Sequence, residues 1–198
     1  MVNLEEYRTL FMGGMLLLVL VAASPVLGVI MPMAGSERFS GLWLLGPDHV
    51  ADGYPSHVRV GEAYSVFVGV DNHMGDSEYY MVYVKFSDSS EFLPDVTGDT
   101  PSSLPELYKF RFFVDDGGAW HSAVTFGFDD VAVEGNVLTV GNVTINGVAF
   151  PVAASAYWDS ERQGYFFELF FELWRYDVED NSFRFDERYV GLSLNMTA

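Results

Sequence analysis

Cysteine is absent from the 198 residues, and with it go thiol catalysis, disulfide staples and Cys-ligated zinc or iron–sulfur centres. Basic residues are scarce: 10 Lys plus Arg stand against 28 Asp plus Glu, a formal charge of −18. After position 35 there are 26 acidic and 9 basic residues, so −17 of the −18 lies there. That field repels nucleic acid phosphates and disfavours direct docking on anionic lipid. Catalytic spacings are missing as well. The four histidines, His49, His57, His73 and His121, form no HExxH or HxH pattern, and no Gly-x-Ser-x-Gly elbow occurs. What the chain does have is apolar and aromatic mass, 49% hydrophobic with Phe 17, Tyr 11 and Trp 4. That is enough for a real core, which excludes an acidic disordered tail.

The long uncharged run is at the N-terminus, where residues 10–35 carry no charge. A helix rising about 1.5 Å per residue crosses a hydrocarbon core of about 30 Å in roughly 20 residues, so this segment is long enough to span. A cleaved signal peptide is the rival, with Val21-Ala22-Ala23 as a small-residue cleavage site. Residues 26–33 continue apolar past that point, which favours an uncleaved transmembrane anchor. The expected organisation is a cytoplasmic segment 1–9, an anchor or signal-anchor 10–35, and an extracytoplasmic domain 36–198. The membrane is then a partner through the helix, with the domain on the extracellular side of a single-pass protein.

From residue 39 onward the period is two, not 3.6. Val66, Val68 and Val70 share one face; Tyr80, Val82, Val84 and Phe86 share another. Phe110, Phe112 and Val114 alternate with Lys109, Arg111 and Phe113, and Trp120 to Phe128 repeats the pattern. Gly141-Asn142 and Asn146-Gly147 are two-residue hairpin turn signals. Residues 164–176 also fit a helical wheel, but strict alternation of Phe167, Leu169, Phe171 and Leu173 makes them a central strand. About ten strands with turn signals every 8–15 residues predict an all-β, antiparallel, immunoglobulin-like β-sandwich. Residues 94–105 form a polar surface loop.

No catalytic set emerges. Glu168 and Glu172 stand four residues apart, about 13 Å along a strand, too far for the glycosidase separation of about 5–9.5 Å; they are expected as solvated edges. No cofactor is certain. Calcium is the most plausible ion, with Asp159 and Glu161 in one loop and Asp177, Glu179 and Asn181 in the next supplying hard oxygen ligands. Asn142-Val143-Thr144 and Asn195-Met196-Thr197 are glycosylation sequons. Tyr79, Tyr83, Phe170 and Trp174 point away from the leucine and valine faces and form an aromatic patch for a protein or glycan.

The ordered pieces Phe39-Ser40-Gly41-Leu42-Trp43-Leu44-Leu45-Gly46-Pro47, Tyr54-Pro55, Val60-Gly61-Glu62, Val68-Gly69-Val70-Asp71-Asn72-His73 and Phe171-Glu172-Leu173-Trp174 resemble the extracytoplasmic C-terminal region of the DUF1616 family, mainly archaeal membrane proteins. The Val-Gly-Val-x-Asn segment is also similar to adhesion-type immunoglobulin-like repeats of prokaryotic surface proteins. The resemblance implies a membrane-anchored exterior domain associated with surface glycosylation or envelope assembly, and brings no catalytic residues. This chain differs from fuller members in having a single hydrophobic span. Two functions are expected: a non-enzymatic cell-surface interaction or structural domain that engages a protein partner or copies of itself, or an accessory subunit of an envelope enzyme complex that binds glycan or a catalytic partner.

Overall fold

The computed structural model describes residues 7–8, 11–19, 37–88 and 90–197. The chain divides into two compact units, Met1–Arg38 and Phe39–Ala198. Residues 7–8 and 11–19 are helical; the greater part of the expected anchor, 10–35, lies outside the described residues. Among the described residues no helix is long and apolar enough to cross a membrane.

The second unit holds ten strands: β1 (Phe39–Leu45), β2 (His57–Arg59), β3 (Ala63–His73), β4 (Glu78–Ser87), β5 (Tyr108–Val114), β6 (Ala119–Glu134), β7 (Val137–Ile145), β8 (Val148–Tyr157), β9 (Tyr165–Asp177) and β10 (Ser182–Thr197). They form two five-stranded sheets. Sheet I has the order β1-β3-β6-β7-β8 and sheet II the order β2-β10-β9-β4-β5. The period-two faces meet as expected: Val66, Val68 and Val70 on one sheet and Val82, Val84, Phe167, Leu169, Phe171 and Leu173 on the other are fully buried. Phe86 and Phe128 meet across the sheets at 5.5 Å, and Phe112 stacks on Trp120 at 3.6 Å to close one end of the core. Residues 165–177 are one 13-residue strand, which settles the helix alternative.

Two details depart from expectation. Gly141-Asn142 is not a hairpin turn, because β7 runs on through it and the register slips between Val140 and Asn142. Opposite, Asp130 has φ 54° and packs where a Gly141 side chain would be, so the glycine serves a bulge within the ladder. Asn146-Gly147 is the expected turn, with φ of 49° and 79° as a type I′ hairpin requires. Finally, β2 pairs parallel to the end of β10, so the sandwich is not wholly antiparallel.

The Val-Gly-Val-x-Asn segment has two structural reasons. A side chain on Gly69 would collide with the indole of Trp43, its cross-strand neighbour, so the bare glycine gives the ring its bed. Asn72 is fully buried. Its Nδ2 donates to Asp76 O and Val114 O, each at 2.8 Å, while its Oδ1 accepts from Met74 N at 2.9 Å and Tyr80 Oη at 3.2 Å. One amide thereby joins the β3–β4 hairpin to the end of β5.

Candidate interaction surface

Because β4 and β9 bury their valine and leucine faces, strand alternation turns Tyr79, Met81, Tyr83 and Lys85 of β4, and Glu168, Phe170, Glu172, Trp174 and Tyr176 of β9, to the outer face of sheet II. Cross-strand register then assembles them: Tyr83 lies opposite Glu172 and Met81 opposite Trp174, and Tyr79 opposite Phe113. Tyr79 stacks on Phe113 at 4.3 Å and meets Phe183 of β10 at 5.1 Å, while Tyr176 sits edge-on to Phe183 at 5.2 Å. Tyr83 and Trp174 form a T-shaped pair at 5.5 Å. Arg111 covers Phe183 from 5.7 Å. Phe113, on edge strand β5, is 73% exposed. The result is an aromatic strip across four strands where an ordinary sandwich has polar side chains.

Of the four expected interface residues, Tyr79, Tyr83 and Trp174 belong to this strip and are half-buried. Phe170 does not, since it is fully buried, leaning over Gly191 with Tyr189 edge-on at 6.5 Å. Phe113 and Phe183 were not singled out from sequence, and their signal was the same alternation on the neighbouring strands.

The expectation of solvated glutamates fails at Glu172, which is 0% exposed. Its Oε2 pairs with Lys85 Nζ at 2.9 Å and accepts from Trp174 Nε1 at 3.2 Å. Its Oε1 accepts from Ser102 N at 2.8 Å, and Lys85 Nζ donates to Ser102 O at 2.8 Å. The ion pair thus grips both backbone groups of one loop residue and lays part of residues 94–105 over the sheet. Glu168 is half-buried; burial raises its pKa above 4.5, partly opposed by a Ser193 hydrogen bond and the charge of Arg162. A carboxyl whose pKa is raised by folding stabilises the fold at low pH and loses that contribution as pH rises through the folded value. The melting temperature is therefore expected to fall as pH rises above the ordinary glutamate range, and Glu168→Gln to flatten that fall; an unchanged profile in a thermal melt series sinks the assignment.

The two expected calcium loops lie at opposite ends of β9. Asp159 Oδ1 accepts from Glu161 N and Arg162 N at 2.9 and 3.0 Å. Asp177 Oδ1 likewise accepts from Glu179 N and Asp180 N at 2.8 and 3.2 Å, and Arg184 pairs with both Asp177 and Asp180. Asn181 sits at φ 51° and accepts from Tyr176 Oη at 2.5 Å. The loops are separate, and each aspartate caps its own turn. Among the described residues no three His, Asp or Glu side chains gather where a metal ion could be held. The sequons differ in access. Asn142 is half-buried within β7, whereas Asn195 is 7% exposed and packed on Gly164, a position where a glycan has no path to solvent.

Ten described strands in two sheets around one apolar core, with an aromatic strip on the outer face of sheet II, define a β-sandwich domain. The chain belongs to the DUF1616 family, described as a domain of unknown function, whose sequence profile matches residues 32–138. No curated protein matches the chain. Among solved structures it is similar to the CARDB domain of a Pyrococcus furiosus protein in complex with di-metal ions, at 8% identity and TM-score 0.39, over 82% of this chain and 90% of that one. It is also similar to the human seminal plasma complex of zinc 2-glycoprotein and prolactin inducible protein, at 8% identity and TM-score 0.39, over 83% of this chain and 100% of that one. A third is the Listeria innocua beta-glucosidase, at 11% identity and TM-score 0.37, over 83% of this chain but 17% of that one.

Proposed function

We propose that this chain is a non-enzymatic interaction domain of the cell envelope, held to the membrane by residues 10–35 and displayed on the extracellular side, where sheet II engages a protein partner. The observation that carries this reading is the aromatic strip, with Phe113 73% exposed in a chain whose charge would otherwise keep its surface polar. Large exposed apolar patches on soluble domains mark contact sites. An accessory role in an envelope enzyme complex uses the same surface, since rings beside Arg111 can also stack on sugar. Glycosylation at Asn142 fits the exterior location, and calcium at either acidic loop is a further proposal with no gathered ligand set behind it.

The cysteine-free background makes topology directly testable. Val178 is 82% exposed in the β9–β10 turn. In intact cells, a Val178→Cys full-length chain is expected to react with a membrane-impermeant maleimide and to remain in the membrane fraction through carbonate wash. Labelling only after lysis would overturn the exterior placement, and release by carbonate would overturn the anchor.

A further inference from the structure

The scarce cations are not spread evenly over the sandwich. The five strands of sheet I contain no Lys or Arg. The strands of sheet II contain Arg59, Lys85, Lys109, Arg111, Arg175, Arg184 and Arg188. On the outer face of sheet II, Lys109 and Arg111 are exposed beside Phe113, and Lys109 has only the distant, exposed Glu106 at 3.5 Å as its partner. By alternation, the outer face of sheet I carries Asp71, Asp129 and Glu134; Asp129 and Glu134 are exposed. That face is aromatic too. Phe39 is 45% exposed, and Trp43 lies over Gly69 beside His121, with ring centres 6.2 Å apart.

Resting on the interaction-domain reading, we propose that the partner is a second copy of this chain, with the outer face of sheet II docking on the outer face of sheet I of its neighbour. Charge decides among the three pairings. Sheet II on sheet II sets Lys109 and Arg111 against themselves, and sheet I on sheet I sets Asp71, Asp129 and Glu134 against themselves with no strand cation to offset them. Sheet II on sheet I sets the exposed Lys109 and Arg111 of one face against the exposed Asp129 and Glu134 of the other, and it covers both aromatic faces with one kind of contact. Such a heterologous contact leaves a free face at each end and propagates into rows. Part of sheet II is already covered by the loop held at Ser102, so the open patch is small. The contact is weak in dilute solution and depends on the high effective concentration of chains tethered to one membrane.

The absence of cysteine supplies the test. Full-length chain carrying both Phe113→Cys and Ala123→Cys, the latter exposed on the outer face of sheet I, is oxidised in native membranes. A ladder of cross-linked species is expected from the double variant, and none from either single variant. Adding Lys109→Glu and Arg111→Glu should cut the ladder at least about tenfold through like-charge contacts, and further adding Asp129→Lys and Glu134→Lys should restore it. Dimers from a single variant, no ladder from the double variant, or reversal without rescue would each overturn the proposal. A different membrane protein captured through a cross-linker on Phe113→Cys, without self-ladders, overturns self-docking but leaves the interaction-domain reading standing.

Discussion

Glu172→Leu is expected to destabilise the domain by about 3–5 kcal/mol, because it strands Lys85 as an unpaired charge in a buried site. At roughly 2–4 °C per kcal/mol for a domain of this size, the melting temperature should fall by about 6–20 °C. The cause is not the loss of an attraction alone. Lys85 is 5% exposed and Glu172 0%, so neither can turn to water when its partner goes. Ser102 N loses its acceptor as well. The double variant Lys85→Met with Glu172→Leu removes both charges and is expected to recover most of the loss, since a well-packed apolar pair replaces a buried ion pair at little cost. The loop should behave differently from the core: in both variants residues 94–105 become cleavable by limited proteolysis, because Ser102 has lost its grip. A double-mutant cycle with additive losses, or a loop that stays protected in the double variant, would refute this account.

Asn72→Ala is the second large effect, with an expected loss of about 2–4 kcal/mol from several buried groups left without partners. Val114 O, Met74 N and Tyr80 Oη each lose a partner at once. Tyr80 keeps its bond to Ser40 Oγ at 2.9 Å, so Tyr80→Phe should cost only about 1 kcal/mol. Burial pushes the Tyr80 hydroxyl up to about 12. Its contribution is therefore complete below the ordinary tyrosine value of 10 and is lost as pH rises through about 12. Urea denaturation of Asn72→Ala, Asn72→Asp and Tyr80→Phe separates these terms. Asn72→Asp should resemble Asn72→Ala, since a carboxylate cannot donate to the carbonyls of Asp76 and Val114. A Tyr80→Phe loss equal to that of Asn72→Ala would show that the network is centred on the phenol instead.

The strands were legible because a two-residue period needs only local sequence. Val66, Val68 and Val70, or Phe167 to Leu173, announce a buried face without knowledge of what covers it. Gly141-Asn142 misleads for a local reason: a bulge and a turn both need small or left-handed residues, and only the pairing of Asn142 with Asp129 and of Val140 with Val131 on the neighbouring strand tells them apart. β2 has three residues, too few for any period to show. Glu172 was misplaced because its partner lies 87 positions earlier in the chain, at Lys85, and the covering residue, Ser102, is a third independent segment. Parity alone assigns Phe170 to the outer face, and it gives the face but not the cover that leaves the ring fully buried. The aromatic strip was half visible: Tyr79, Tyr83 and Trp174 could be drawn on their own strands, while Phe113 and Phe183 join them only through register.

The pairing of β2 with β10 sets a condition on how the chain is made. Val58, fully buried, and its strand are matched by Asn195, Met196 and Thr197, with Ser56 O receiving Asn195 N at 2.8 Å. The partner of a strand near the start of the sandwich is thus the strand that follows all the other described strands in chain order. At roughly 5–20 residues per second on the ribosome, the intervening 139 positions between Val58 and Thr197 take about 7–28 seconds to emerge. Once β9 has emerged it lacks β10 until Ser182–Thr197 follow, and Leu169 and Phe171 lack Leu192 and Val190 opposite them. Sheet II cannot close before β10 has emerged, so the apolar faces of β4 and β9 wait uncovered, and a chain cut before Tyr189 would lack Leu192, Leu194 and Met196 of the core. A formal charge of −18 sets like-charge repulsion against contact between such incomplete chains.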